Sequence, residues 1–165
     1  MRNGSGANVA APIRHMITHI YYVSPCSSRS GSGGTTCAST DDGGSPIPTL
    51  YRLELSKTAS GTAFVDYPLV EGIQSFQVDY GLDSDADGSP NSAYSTDPGA
   101  TSNWQNLMAV RMYVLARNTM ISPGYLDTKT YNLGSTAIAG SGSYRRHVYD
   151  TLVRLKNPSE RREAP

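Results

Sequence analysis

Three aspartates at alternate positions carry the sharpest chemical signal in the chain. Asp83, Asp85 and Asp87 are separated by single residues, and a glycine follows the third. Alternate spacing lets carboxylates converge on one hard cation such as Ca²⁺, and a glycine permits the sharp turn of a calcium loop. Asp79 and Asp97 could complete the set of oxygen ligands. The segment therefore predicts a Ca²⁺ site with a structural role.

The same loop departs from an EF-hand. Its twelfth position, a glutamate in EF-hands, is Tyr94, and no helical pattern flanks the loop. This excludes an EF-hand and leaves two interpretations open. One is a calcium loop of another kind, and the other is a solvated acidic turn, because Asp, Ser and Gly are ordinary turn residues.

Two cysteines indicate the compartment. Cys26 and Cys37 bracket a polar, glycine-rich segment that has little means of ordering itself. A disulfide across it would stabilise the fold by up to ~3 kcal/mol in the chain-entropy model, and such bonds persist in oxidising compartments. The alternative is a pair of free thiols. We predict the disulfide, and with it an exported protein.

Catalytic motifs are missing from the sequence. There is no G-x-S-x-G elbow and no P-loop lysine after the glycine-rich segments. His15 and His19 have a zinc-like spacing, but the glutamate of a zincin helix is absent between them. The sequence therefore predicts a protein that is not an enzyme, and it disfavours a secreted hydrolase.

The composition describes the scaffold that must position these residues. The chain has 165 residues, which suits one domain, and a formal net charge of zero, which argues against nucleic acid as a partner. Eleven tyrosines suit half-buried sheet faces. No apolar run approaches the ~18 residues of a membrane-spanning helix.

Alternating and β-branched patterns predict about six strands and little helix. They cover residues 17–23, 49–55, 74–80, 107–117, 128–133 and 144–155. A helical turn is predicted over 69–73, and long polar loops over 24–46, 81–103 and 134–143. Residues 1–8 are expected to be a flexible start and 157–165 a charged tail. This pattern is typical of an antiparallel sheet or sandwich.

Several segments occur in an order that resembles a known family. The segments are 11–14, 21–23, 47–53, 69–83, 103–104, 109–112, 144–149 and 153–158. Together they resemble the PilW family of type IV pilus minor pilins over almost the whole chain. The resemblance lies in the order of the whole set, which is specific.

The resemblance implies a fold and a location. The fold is expected to be α+β and mostly β, with a pilin-like antiparallel sheet, additional β structure and little helix, in a single domain over 1–165. The protein is expected to be exported, held at the inner membrane and periplasm, and placed at the pilus tip on the bacterial surface. The family pattern begins with a prepilin cleavage motif and an apolar helix. This sequence shows neither, so we expect a soluble C-terminal domain without that helix.

The resemblance also implies partners and a function. The partners would be other minor pilins, the major pilin, and the inner membrane through the N-terminal helix. The expected function is to help initiate type IV pilus assembly and to sit in the tip complex by packing with other minor pilins. The alternative is a calcium-stabilised extracellular adhesin or binding module.

Overall fold

Antiparallel strands build nearly all of the fold. The computed structural model describes residues 17–30, 36–91 and 94–156. Its strands are β1 (His19–Ser24), β2 (Thr49–Thr58), β3 (Gly61–Glu71), β4 (Ile73–Leu82), β5 (Leu107–Arg117), β6 (Thr130–Leu133), β7 (Thr136–Ala139) and β8 (Arg146–Arg154). The helical elements are α1 (Asp41–Gly44) and a 3-10 helix (Thr101–Asn106). This confirms a mostly β, α+β fold. The predicted flexible start and charged tail lie outside the described residues.

The strands form two three-stranded sheets and a hairpin. The first sheet has the order β1-β2-β3, the second has the order β4-β5-β8, and β6 pairs with β7. All the pairings are antiparallel. The predicted strand over 107–117 is confirmed at both ends, because its long apolar run is bounded by polar residues.

Strand β3 was not predicted from the sequence. It pairs with β2 along its length, with Leu55 opposite Phe64 and Thr58 opposite Gly61. Its residues do not alternate cleanly in polarity, and Pro68 argues against a central strand. Pro68 is tolerated because β3 lies at the edge of its sheet, where one side of the backbone makes no hydrogen bonds to a neighbouring strand.

The helical turn predicted over 69–73 is wrong. The chain stays extended to Glu71 and reverses at Gly72, which has φ +80° and is the only residue between β3 and β4. The carbonyl of Gly72 accepts a hydrogen bond from the Arg117 backbone at 2.7 Å. A Cβ on Gly72 would lie 2.6 Å from the Arg117 carbonyl oxygen, so this close approach requires a glycine.

The hairpin of β6 and β7 covers one face of the second sheet. Leu115, Tyr131 and Leu133 form the buried cluster, and Ile138 and Val148 pack against it. Burying one such leucine stabilises a fold by about 1.5–3 kcal/mol. The loop predicted over 134–143 is therefore wrong over Thr136–Ala139, because Ile138 has an apolar surface to pack on that is distant in sequence.

Candidate functional site

The three alternate aspartates converge in space. The acidic loop, residues 83–88, follows directly on β4, and the carboxylate oxygens of Asp83, Asp85 and Asp87 lie within 4.8 Å of one another. Asp83 is fully buried. Its carboxylate accepts the backbone N–H of Ala86 at 2.7 Å and of Gly88 at 3.0 Å. Asp83 thus fixes the turn from within, while Asp85 and Asp87 are exposed.

The other two predicted ligands lie apart from this group. The Asp79 side chain lies beneath the β6–β7 turn. An added Cβ on Gly134 in that turn would collide with the Asp79 carboxylate. Asp79 is 3% exposed. Asp97 is exposed, and its carboxylate accepts the N–H of Gly99 at 2.8 Å in a local turn. The structure therefore brings together three of the five predicted ligands, and Ca²⁺ binding stays a prediction that depends on those three.

The predicted cysteine pair is joined in the structure. Cys26 and Cys37 form a disulfide with an S–S distance of 2.01 Å. The carboxylate of Asp42 holds the flanking segment, accepting the N–H groups of Ser27, Ser28 and Ile47 at 2.8 Å each. Burial alone would raise the pKa of Asp42, but these three hydrogen bonds outweigh it and the pKa is lowered. Sequence reasoning missed Asp42, because short loops rich in Asp and Gly are common.

Arg29, which lies between the two cysteines, packs on the first sheet. Its guanidinium lies 4.5 Å from the centre of the Tyr51 ring and pairs with Asp66 at 2.8 Å. Tyr22 stacks on Tyr51 and donates its hydroxyl hydrogen to Asp66 at 2.6 Å. The part of the disulfide segment that carries Arg29 therefore packs on the first sheet.

A basic end lies opposite the acidic loop on the second sheet. It consists of Arg117, at the end of β5, and Arg145, Arg146 and His147, at the start of β8. The Arg146 side chain is 2% exposed and pairs at 2.7 Å with the Asp127 side chain, which is fully buried. Arg145 lies over the Tyr125 ring at 4.8 Å. Sequence reasoning missed this pair, since nothing in the spacing of Asp127 and Arg146 indicates that they meet in the interior.

The buried pair shifts the pKa of its neighbours. Burial raises the pKa of Asp127, but hydrogen bonds from Arg146, the Lys129 N–H and Tyr131 outweigh burial and lower it. Burial, followed by the hydrogen bond to Asp127, raises the pKa of Tyr131 to about 12. The native arrangement is therefore a charged Asp127 bound by a neutral Tyr131.

Neither of the two described histidines belongs to a group of possible metal ligands. His19 pairs with Glu54 at 3.1 Å, and His15 lies outside the described residues. His147 makes an edge contact with the Tyr149 ring at 4.5 Å.

One face of the second sheet is broadly apolar, and we call it the open face. Residues directly opposite one another in neighbouring strands point to the same side. The open face carries Phe76, Val78, Met112, Val114, Tyr149 and Val153. Tyr149 is 60% exposed and Val153 is 40% exposed. The β6–β7 hairpin packs on the opposite face, and Trp104 contacts Tyr80 at one end of the open face. Strand alternation alone does not indicate that the opposite face carries the buried cluster under the hairpin.

An antiparallel β domain with a disulfide-closed loop is typical of exported proteins. The family model of type IV pilus-assembly protein W, PilW, matches residues 20–157. The chain therefore belongs to the PilW family, and it takes part in type IV pilus assembly. Membership of this family implies export to the cell envelope and interaction with other pilus components.

The remaining comparisons add no second relative. No curated protein and no solved structure matches the chain significantly. PilW is a family of pilus-assembly proteins rather than of enzymes. In the described part of the chain, no helix combines the length and the apolar character needed to cross a membrane.

Proposed function

We propose that the chain is a minor pilin that helps to initiate type IV pilus assembly and sits in the tip complex by packing with other minor pilins. The observation that carries this proposal is the open face of the second sheet. Its apolar side chains run across three neighbouring strands, two of them are exposed, and exposed apolar patches are typical of interaction sites.

The open face also suits the anchoring that the family resemblance implies. An apolar helix laid across β4, β5 and β8 would complete the burial of the partly buried Phe76 and Val114 and cover the exposed ring of Tyr149. In this proposal such a helix holds the domain at the inner membrane, and the rest of the open face is available to neighbouring pilins. The adhesin alternative gains no support from the described residues.

Binding to other minor pilins tests the proposal. The soluble domains of the full minor-pilin set from one organism would be mixed with this chain, and association measured by calorimetry. We expect at least one of them to bind. If none binds, the proposal is wrong.

Two neighbouring residues of β8 give a matched pair of variants. Val153 lies on the open face and is 40% exposed, whereas Leu152 is 58% exposed and points to the opposite side. We expect Val153→Asp to weaken association with the minor pilin and Leu152→Asp to leave it near the wild-type value. Equal effects of both variants would exclude the open face as the contact surface.

A further inference from the structure

A pocket of about 410 Å³ opens at the basic end, at the seam between the two sheets. One side is apolar and is formed by Val23 and three prolines. The other side presents two polar side chains, from strands β4 and β5. The lining residues are Val23, Pro25, Pro46, Pro48, Gln74 and Arg117.

Arg117 brings a positive charge that no carboxylate neutralises among the described residues. Its Nη2 donates to the Pro46 carbonyl at 2.7 Å, and its guanidinium lies 3.9 Å from the centre of the Tyr144 ring. Its Nε is buried and has no hydrogen-bond partner within the described part of the chain. A cation held in this way is costly, and an anionic ligand would offset that cost.

Gln74 adds a second donor to the same wall. Its side-chain carbonyl already accepts a hydrogen bond from Arg146 Nε at 2.7 Å. The amide nitrogen, which can only donate, is the group left for a ligand. Arg146 itself is neutralised by Asp127. The polar part of the pocket therefore offers donors and one unpaired positive charge.

This combination selects a carboxylate on an apolar stem. A planar guanidinium matches the two oxygens of a carboxylate, and a single positive charge balances a single negative one. The proline rings and Val23 would cover the methylene groups behind the carboxylate. We infer that the pocket formed by the three prolines, Gln74 and Arg117 binds an acidic side chain of a neighbouring pilus subunit. The source of that side chain rests on the proposed function, whereas the carboxylate specificity does not.

The disulfide segment supports the apolar wall. Pro25 immediately precedes Cys26, and Asp42 ties Ser27 and Ile47 together through its carboxylate. The disulfide and the Asp42 carboxylate therefore hold the apolar wall in place, and neither needs a bound ligand to do so.

Titration of the full chain with sodium butyrate, followed by NMR at constant ionic strength, tests the carboxylate specificity. Butyrate carries the carboxylate and a short apolar stem, and butylammonium carries the same stem with the opposite charge. We expect saturable shifts of the Gln74 side-chain amide and the Arg117 Nε–H with butyrate and none with butylammonium. The absence of a saturable shift with butyrate would overturn the inference.

Variants locate the site. A hydrogen bond to a charged group contributes about 1.5–3 kcal/mol, so Arg117→Gln is expected to weaken butyrate binding by about tenfold to a hundredfold. Arg145→Gln is the matched control, because Arg145 lies at the same end but outside the pocket lining. Gln74→Glu keeps an acceptor for Arg146 and places a carboxylate beside Arg117, so it should abolish butyrate binding in a folded chain. Equal affinity in the Arg145 and Arg117 variants, or full affinity in Gln74→Glu, would overturn the site.

Association with a minor pilin separates this inference from the proposed function. We expect Gln74→Glu to weaken that association. If butyrate binds but Gln74→Glu leaves subunit association unchanged, the ligand is not a subunit side chain and this part is overturned. If butyrate does not bind while the wild-type chain still binds a minor pilin, the pocket is wrong and the proposed function stands.

Discussion

The charged side chains at the two ends of the second sheet differ in their burial and in their partners. At the basic end, Arg146 is buried against Asp127, and Arg117 and Arg145 lie over tyrosine rings. At the other end, the carboxylates of the acidic loop converge within 4.8 Å, and two of them are exposed. At the basic end one arginine is neutralised by a buried carboxylate and two lie over tyrosine rings, whereas at the acidic loop the carboxylates of Asp85 and Asp87 face solvent.

This difference leads us to expect that the buried pair at the basic end governs the stability of the fold, whereas the acidic loop responds to cations in solution. A buried pair contributes to the fold under all conditions in which both partners are charged, and removing one partner is costly. Exposed carboxylates such as those of Asp85 and Asp87 contribute little by themselves, and a bound cation would add stability to the loop that holds them. The comparison therefore predicts large mutational effects at the basic end and solution-dependent effects at the acidic loop.

Removing the buried arginine should have the largest effect. Arg146→Met is expected to lower the free energy of unfolding by about 3–5 kcal/mol, since it leaves a buried carboxylate without its cation. Urea unfolding followed by circular dichroism measures the change. Arg111→Met is the control, because Arg111 pairs with Asp150 at the surface, with side chains 45% and 48% exposed. A small effect of Arg146→Met, similar to the control, would mean that the basic end does not carry the stability.

Removing the disulfide should have the next largest effect. The bond closes a loop with a sequence separation of 11 residues. Replacing both Cys26 and Cys37 by serine is expected to lower the free energy of unfolding by about 2–3 kcal/mol. Because the clip supports the pocket wall, the double variant should also bind butyrate more weakly. Unchanged stability relative to the oxidised wild type would contradict the role of the clip.

Local patterns predicted the parts of the fold that depend on local chemistry. The strand over 107–117 and the cysteine pair follow from an apolar run and from a floppy polar loop between two thiols. Strand β7 was not predicted, because Ile138 is the one large apolar residue in a stretch of small residues, and it gains apolar partners only where it packs against the cluster of Leu115 and Leu133. Strand β3 was missed for a related reason, since its pairing with β2 supplies what its own sequence lacks.

The candidate site shows the same limit. Spacing brought Asp83, Asp85 and Asp87 together, because residues within one short loop must stay close. Asp79 is only four residues from Asp83, but the strand directs its side chain under the β6–β7 turn. The partners Asp127 and Arg146, and the prolines around Arg117, are separated by long stretches of sequence, so only the fold reveals them.

Calcium should affect only the acidic end. If the loop binds Ca²⁺, an excess of about 10–100 times Kd raises the free energy of unfolding by about 1.4–2.7 kcal/mol. Thermal unfolding with Ca²⁺ and with a chelator measures this. Asp85→Asn and Asp87→Asn should reduce the shift, and Asp97→Asn should not, because Asp97 lies outside the converging group. Identical melting temperatures with and without chelator would leave the loop as a solvated turn.

The smallest expected effect is the late titration of one tyrosine at the basic end. Tyr131 has its pKa raised to about 12, so its contribution to stability is fully present below its unfolded pKa of about 10 and is lost as the pH rises through about 12. The pKa of Asp127 is lowered, so its contribution is present above the unfolded value of about 4 and is lost as the pH falls through the native pKa. The absorbance of the tyrosinates, followed from neutral to alkaline pH, should show a late component to which Tyr131 contributes together with Tyr22, whose pKa is also raised, by burial and by its hydrogen bond to Asp66. Tyr131→Phe should reduce that component and keep the part of the acid-side stability that comes from Arg146 and the Lys129 N–H. A wild-type titration complete near pH 10, with no late step, would show that the hydroxyl is not held by the buried carboxylate.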